Sequence, residues 1–232
     1  ISRKFKNSAI AIGNFDGFHS GHQKVINSGK YLAKKNKLKF GLLVFHPLPV
    51  MFFNKKIKNY RIDSLKQKVE TSKKLGIDFI IIKKFNKNFS KTSAENFIKY
   101  ILHKKLEARL IFISQNFKFG KNRVGNINLL KKKERLFKYK TKTVKPLNKN
   151  KTIISSTLIR KNIIMGKIGF VNKMLGRPWA IEGIVKRGEK RGRKIGFPTC
   201  NLELQDYVVP KVGVYASKII LNNNVKRKGI VN

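Results

Sequence analysis

The sequence predicts an α/β protein: a parallel sheet covered by helices, followed by a small β-barrel or sandwich. Three observations lead there. Apolar runs of strand length alternate with amphipathic stretches of helical period over the longer N-terminal part. After Leu175-Gly176-Arg177-Pro178 only short β-type runs remain, punctuated by glycine and proline. A loop carrying glycines and histidines joins the first strand to the first helix, at the end of the sheet where such folds hold ligands. A chain of 232 residues exceeds one domain of about 100–150 residues. Two units are therefore expected, 1–175 and 176–232.

Each element follows from its residues. Ser8–Ile12 is an apolar run that reads as a buried strand. Gly21–Lys35 carries Val25, Ile26 and Leu32 at roughly helical spacing. Phe40–Phe45 is a second strand. Asp63–Leu75 is a helix stopped by Gly76. Phe79–Ile82 is a third strand. Thr92 and Glu95 form a capping-box pattern that opens a helix through Leu102. Leu110–Ser114 is a fourth strand and Thr141–Val144 a fifth, with a helix over Ile127–Phe137 between them. Ser156–Met165 is a short helix. In the second unit, Ala180–Val185, Val212–Leu221 and Val225–Val231 are the β-type runs. No internal repeat is present.

Lys and Arg number 54 against 11 Asp and Glu, a formal net charge of +43, with 41% hydrophobic residues. That apolar fraction is ample for a core and argues against disorder. No apolar run approaches the roughly 20 residues of a membrane span. The lone cysteine, Cys200, cannot form an internal disulfide, which suits a reducing cytoplasm. The start at Ile1-Ser2-Arg3 lacks a secretory signal and an initiator Met, and the chain stops at Gly229-Ile230-Val231-Asn232, so a fragment is expected. The positive charge invites a nucleic-acid reading. Against it, the lysines are spread nearly evenly and no zinc-finger, basic-zipper or aromatic RNA-binding signature accompanies them. Abundant Lys, Asn and Ile read as compositional drift on a solvated surface.

The strongest chemical signal is Gly13-Asn14-Phe15-Asp16-Gly17-Phe18-His19-Ser20-Gly21-His22. Gly13 and Gly17 permit sharp turns and close backbone approach to a ligand. The loop N–H groups and the helix N-terminus make an anion site. His19 and His22, three residues apart in the first helical turn, can face one side. A tight turn with surface histidines is the plain alternative. Zinc is disfavoured, because two ligands are too few and Cys200 is remote. No Gly-x-x-x-x-Gly-Lys loop occurs.

These residues resemble the nucleotidyltransferases that carry His-x-Gly-His. The longer string Gly-x-Phe-Asp-Gly-x-His-x-Gly-His looks like the adenylyltransferase half of the prokaryotic bifunctional riboflavin kinase/FAD synthetase family. Further pieces match in order. Phe45-His46-Pro47-Leu48-Pro49 looks like the family's Phe-x-Pro-x-Pro loop. Asn116-Phe117-Lys118-Phe119-Gly120 with Gly125 resembles the segment after the fourth strand. Ile154-Ser155-Ser156-Thr157-Leu158-Ile159-Arg160 is similar to the Ile-Ser-Ser-Thr-x-Ile-Arg motif. Ser114 and Gln115 depart from the usual Gly and acidic residue, changing the loop and removing a charge.

The resemblance implies a Rossmann-like domain catalysing ATP + FMN → FAD + pyrophosphate. His19, His22 and Arg160 are the implied catalytic set, with the imidazoles donating to phosphates. Gly13, Asn14, Phe15, Asp16, Gly17 and Gly21 would surround the nucleotide. Phe45, Pro47 and Asn116 would line the same crevice, and Ser155, Ser156 and Thr157 would hold a phosphate at a helix start, where by themselves they read as an ordinary N-cap. Mg²⁺ would be held largely by phosphate oxygens and water. Asp16 could contact it indirectly or simply stabilise the turn.

Farther on, Gly196-Phe197-Pro198-Thr199-Cys200-Asn201 looks like the riboflavin kinase hallmark Gly-x-Pro-Thr-Ala-Asn, with Cys200 for Ala, and Gly213-Val214-Tyr215 follows. By themselves the Pro-Thr-Cys-Asn residues read as a β-barrel turn. The resemblance makes Thr199 and Asn201 ligands of ATP–Mg²⁺, beside Pro198, and has the loop of Gly188, Gly192, Lys194 and Gly196 cover the nucleotide. The family's catalytic Glu lies beyond the last residue here, since Glu203 and Asp206 come too early. A partial barrel without kinase activity is therefore expected.

Implied partners are the small molecules ATP, FMN and riboflavin, with no specific nucleic acid and no membrane. No oligomeric state follows from the sequence. Two other readings stand beside this one: another His-x-Gly-His adenylyltransferase, acting on pantetheine phosphate or nicotinamide mononucleotide, and a basic nucleic-acid-binding protein. The Pro-Thr-Cys-Asn motif opposes the first.

Overall fold

The computed structural model describes residues 2–145, 148–149, 152–186, 188, 192, 196, 199–221 and 225–232. Lys194 and Pro198, singled out above, lie outside the described residues.

Five parallel strands form the main sheet: β1 (Ala9–Ile12), β2 (Phe40–His46), β3 (Phe79–Lys84), β4 (Leu110–Ser114) and β5 (Lys140–Val144). Their order is β3-β2-β1-β4-β5. The chain steps outward from β1 to β3, then returns to the other side of β1 for β4. Strand order therefore reverses between β1 and β4, which opens a crevice at their carboxyl ends. Ile10 pairs with Gly41 on one side and Ile111 on the other.

β1 is buried on both faces, which is why it reads as an unbroken apolar run. Ala9 and Ala11 face one layer, with Ile26 and Ala33 of helix α1 (Ser20–Lys35), Leu42, Val44 and Phe112. The small alanines let α1 sit close. Gly29 of α1 makes the approach closer still: any side chain there would collide with the Phe40 ring. Ile10 and Ile12 face the opposite layer, with Leu43, Ile111, Ile113, Phe97, Ile98 and Leu102.

The remaining helices are short. α2 (Pro49–Phe53) follows β2. α3 (Leu65–Lys74) is opened by a capping box of Ser64 and Gln67, and Gly76 in the left-handed region follows its end. α4 (Lys87–Ser90) precedes α5, which starts at Ala94–Asn96 and continues with π-helical geometry over Phe97–Lys105. The expected Thr92–Glu95 capping box is absent. Ser93 is the cap, accepting from the Asn96 N–H at 3.1 Å. The Thr92 carbonyl is drawn instead to the Lys121 N–H, and Glu95 pairs with Lys133 at 2.9 Å. The helix expected over Ile127–Phe137 is two, α6 (Ile127–Lys132) and α7 (Glu134–Phe137), broken where Lys133 leaves helical geometry.

After β5 come the short pair β6 (Asn148–Lys149) and β7 (Thr152–Ile153), then α8 (Ser156–Ile164) and α9 (Ile168–Leu175). α9 is not among the elements expected from the sequence. Gly176, at φ +68°, caps it. The rest is antiparallel: β8 (Gly183–Lys186) with β9 (Asn201–Leu204), and β10 (Tyr215–Ile220) with β11 (Lys226–Val231). These pairs agree with a kinase-type barrel unit.

The two parts share a third apolar cluster, in which Val208 packs with Ile62, Ile154, Ile159, Ile163, Val171 and Leu175. Among the described residues, no helix is long and apolar enough to cross a membrane.

Candidate active site

The site forms where β1 ends. Gly13 still donates to the Leu43 carbonyl at 3.2 Å, and the chain then turns sharply. Phe15, Gly17 and Phe18 all have positive φ, at 44°, 92° and 44°. For glycine this is free. For phenylalanine it is strained, and here burial of both rings holds the conformation.

The loop delivers His19 as the N-cap of α1 and His22 one turn on. Their ring centroids lie 3.7 Å apart, inclined by 22°. His19 Nδ1 accepts from the His22 backbone N–H at 3.3 Å. That bond leaves Nε2 as the protonated nitrogen of neutral His19, free to donate. His22 Nδ1 is buried without a partner. Gly21 allows the packing, since a Cβ there would stand 3.1 Å from both the His19 ring and the Ile154 carbonyl.

Burial pulls the His19 pKa down to about 4, with Asp16 opposing and Arg160 assisting. Burial also drives His22 well below its usual value, helped by His19, Lys68 and Arg160. Without a ligand both rings are neutral near pH 7. A bound polyanion acts in the opposite sense, because nearby negative charge favours the imidazolium. The pair thus suits oxygens that carry growing negative charge.

Asp16 is the knot beneath the loop. Its carboxylate accepts from the Ile62 and Asp63 backbone N–H groups at 3.2–3.3 Å and from Arg160 Nη2 at 2.6 Å. Arg160 Nε also donates to the Tyr60 carbonyl at 2.8 Å, and its guanidinium lies 3.8 Å from the Tyr60 ring centroid. The Nε and Nη2 donors of Arg160, a member of the implied catalytic set, are thus engaged by Tyr60 and Asp16. Ser156 Oγ donates to the Asp16 carbonyl at 2.8 Å, while Ser155 caps α8 through the Leu158 N–H. Thr157 is exposed beside them.

Phe45 and Asn116 follow the same crevice, at the end of β2 and just after β4. Phe45 is buried against Phe85 and Phe89; Asn116 is exposed. Pro47 follows β2 after a cis peptide bond. Thr199 and Asn201 are exposed at the start of β9, where Asn201 pairs with Lys186 and Gly188 is packed against its amide.

A family model for FAD synthetase matches residues 1–158, and one for riboflavin kinase matches residues 175–232. The chain belongs to the bifunctional riboflavin kinase/FMN adenylyltransferase family. Curated relatives with that name agree. The protein of Buchnera aphidicola subsp. Schizaphis graminum is 44% identical over 97% of this chain and 73% of its own. That of Haemophilus influenzae is 33% identical over 100% and 75%, and that of Escherichia coli K12 30% identical over 96% and 71%. A crystal structure described as a macrolide-efflux protein from Streptococcus pneumoniae has a TM-score of 0.83 at 27% identity, covering 97% of this chain and 73% of that one. The family rests on the two models and the named relatives; the solved structure supports the fold. Both modules of the bifunctional family are represented, so the expected loss of the kinase's catalytic part is not confirmed.

Sequence reasoning missed residues 60–68. Arg61, Asp63, Gln67 and Lys68 are buried polar groups at the site. Asp63 receives Arg177 Nη2 at 2.6 Å, and burial pushes its carboxyl up while Arg177 pulls it down. Lys68 Nζ reaches the Asn14 carbonyl at 2.7 Å. The buried face of α3 is Gln67, Lys68 and Ser72, so no apolar stripe marks it.

Proposed function

We propose that this chain catalyses adenylyl transfer from ATP to FMN, giving FAD and pyrophosphate. The stacked His19–His22 pair at the switch between β1 and β4 carries this reading. An oxygen of the FMN phosphate attacks the α-phosphorus in line. A new P–O bond forms, the bond to the bridging oxygen of the β-phosphate breaks, and pyrophosphate leaves with that electron pair. FMN brings its own nucleophile, so the protein's task is positioning and charge stabilisation.

His19 and His22 donate N–H groups to the phosphate oxygens. Backbone groups of Gly13, Asn14, Phe15, Gly17 and Gly21 line the nucleotide, with Phe45, Pro47 and Asn116 along the crevice. Ser155, Ser156 and Thr157 offer hydroxyls and N–H groups at the start of α8. Arg160 acts through Asp16, holding the histidine loop against the 60–63 segment. Among the described residues no cluster of His, Cys, Asp and Glu is suited to a metal, and Asp16 is spent on backbone and guanidinium donors. Mg²⁺ bound through the polyphosphate's own oxygens and water fits that donor set and supplies charge neutralisation.

Residues 1–175 form the adenylyltransferase unit and 176–232 belong to the riboflavin kinase unit, in which Thr199 and Asn201 offer hard oxygen donors to ATP–Mg²⁺. Its substrates are ATP and riboflavin, and Gly188, Gly192 and Gly196 flank the nucleotide. The lone Cys200, free and exposed, suits the cytoplasm.

The test is incubation with ATP, Mg²⁺ and FMN followed by chromatography. FAD and pyrophosphate in equal amounts are expected. Folded protein that forms no FAD would overturn the reading.

A further inference from the structure

Lys68 is a buried cation whose hydrogen bonding is incomplete. Its residue is 5% exposed, although lysine is almost never buried unless paired. An ammonium carries three N–H donors and no acceptor. Among the described residues, the acceptor for Lys68 Nζ is the Asn14 carbonyl at 2.7 Å. None of the ion pairs between described residues includes it. Asp16 and Asp63, the carboxylates whose charges act on it, are each engaged by an arginine at 2.6 Å. An ammonium taken out of water without a counter-charge is costly, and the surroundings here supply only part of the compensation.

The place where the compensation is missing is informative. Lys68 holds the carbonyl of Asn14, in the histidine loop. Its charge is felt at His22, a half-buried residue whose Nδ1 is itself buried and unpartnered. A cation without a counter-charge of its own and an unpartnered imidazole nitrogen thus occur together at one site. Oxyanions satisfy both at once, the ammonium by charge and the imidazole as an N–H donor in the other tautomer or the cation. Burial lowers the Lys68 pKa and the two carboxylates oppose it, so an arriving polyanion would favour the charged form further.

We infer that Lys68 is a ligand of the ATP polyphosphate, beside His22, gripping the pyrophosphate that departs. This rests on the adenylyl-transfer reading above. The alternative is a purely structural lysine that tethers the Asn14 carbonyl.

Two variants separate these roles. Lys68→Met removes the charge and nearly keeps the shape; Lys68→Arg keeps the charge. Steady-state kinetics would give the KM for ATP and for FMN, with inhibition by pyrophosphate and by AMP. Calorimetry with pyrophosphate alone would read binding without turnover. For Lys68→Met, a rise of about tenfold or more is expected in the ATP KM and in the pyrophosphate dissociation constant. FMN KM and AMP inhibition should stay within about twofold, and Lys68→Arg should recover most of the loss. A tether would weaken ATP, AMP and pyrophosphate together. That result, or unchanged pyrophosphate binding in folded Lys68→Met, overturns the inference. Wild-type protein that makes no FAD would instead defeat the adenylyl-transfer reading, and the calorimetric comparison would still judge Lys68 as a pyrophosphate ligand.

Discussion

Asp16 and Arg160 stand 144 residues apart in the chain and meet in a 2.6 Å ion pair with both side chains almost fully buried. The pair joins the histidine loop to α8, and through the Ile62 and Asp63 N–H groups it also holds the segment before α3. Breaking such a pair from one side leaves an uncompensated buried charge. Arg160→Met should therefore destabilise the protein by about 3–5 kcal/mol. Urea denaturation at pH 7.5 measures this. A loss below about 1 kcal/mol would show that the pair does not hold the loop.

His22→Ala should leave the fold intact and lower FAD formation by roughly 10²–10⁴-fold, the range for a positioned proton or hydrogen-bond donor. Circular dichroism confirms the fold, and initial rates at saturating ATP and FMN give the effect. Wild-type turnover would remove the imidazole from the chemistry.

The ligand-free protein should lose stability in mild acid. His19 has a native pKa of about 4 against a usual 6.5. Below pH 6.5 the unfolded chain protonates first, so it binds more protons than the native state. The contribution is intact above pH 6.5, declines as pH falls, and levels off below about 4. By pH 4.5 the loss from this residue amounts to roughly 2–3 kcal/mol. Denaturation midpoints of wild type and His19→Gln, compared at pH 7.5 and 4.5, test it. The variant should show the shallower decline, and parallel declines would contradict the assignment.

Tyr207 shows how the second part supports the first. Its buried hydroxyl donates to Gln67 Oε1 at 2.8 Å and accepts from the Glu182 N–H at 3.3 Å. Beside it, the Tyr60 and Arg61 N–H groups donate to the Asp206 carbonyl, and the Val208 N–H donates to the Arg61 carbonyl. Tyr207→Phe should cost about 1–3 kcal/mol by leaving the Glu182 N–H without its acceptor and Gln67 Oε1 with the Ser64 N–H as its remaining donor. A thermal or urea melt reads the loss. An unchanged midpoint would mean that this contact adds nothing to the fold.

Much of this was legible in the amino-acid order, because its causes are local. An apolar run such as Ala9–Ile12 signals a strand buried on both faces, and two histidines spaced by a glycine at a strand-to-helix turn signal an anion site. The motif that opens α8 was equally readable, although its arginine faces a carboxylate and not open solvent. Where the local signal misled, the helix starts one residue later: Ser93 caps it in place of Thr92, whose carbonyl accepts from the distant Lys121 N–H. Lys68 carried no signal at all among 54 cationic residues. The order of residues along a chain records periodicity and turn chemistry. It does not record which of many similar charges will be stripped of water, since burial depends on packing partners as remote as Asp206 is from Arg61.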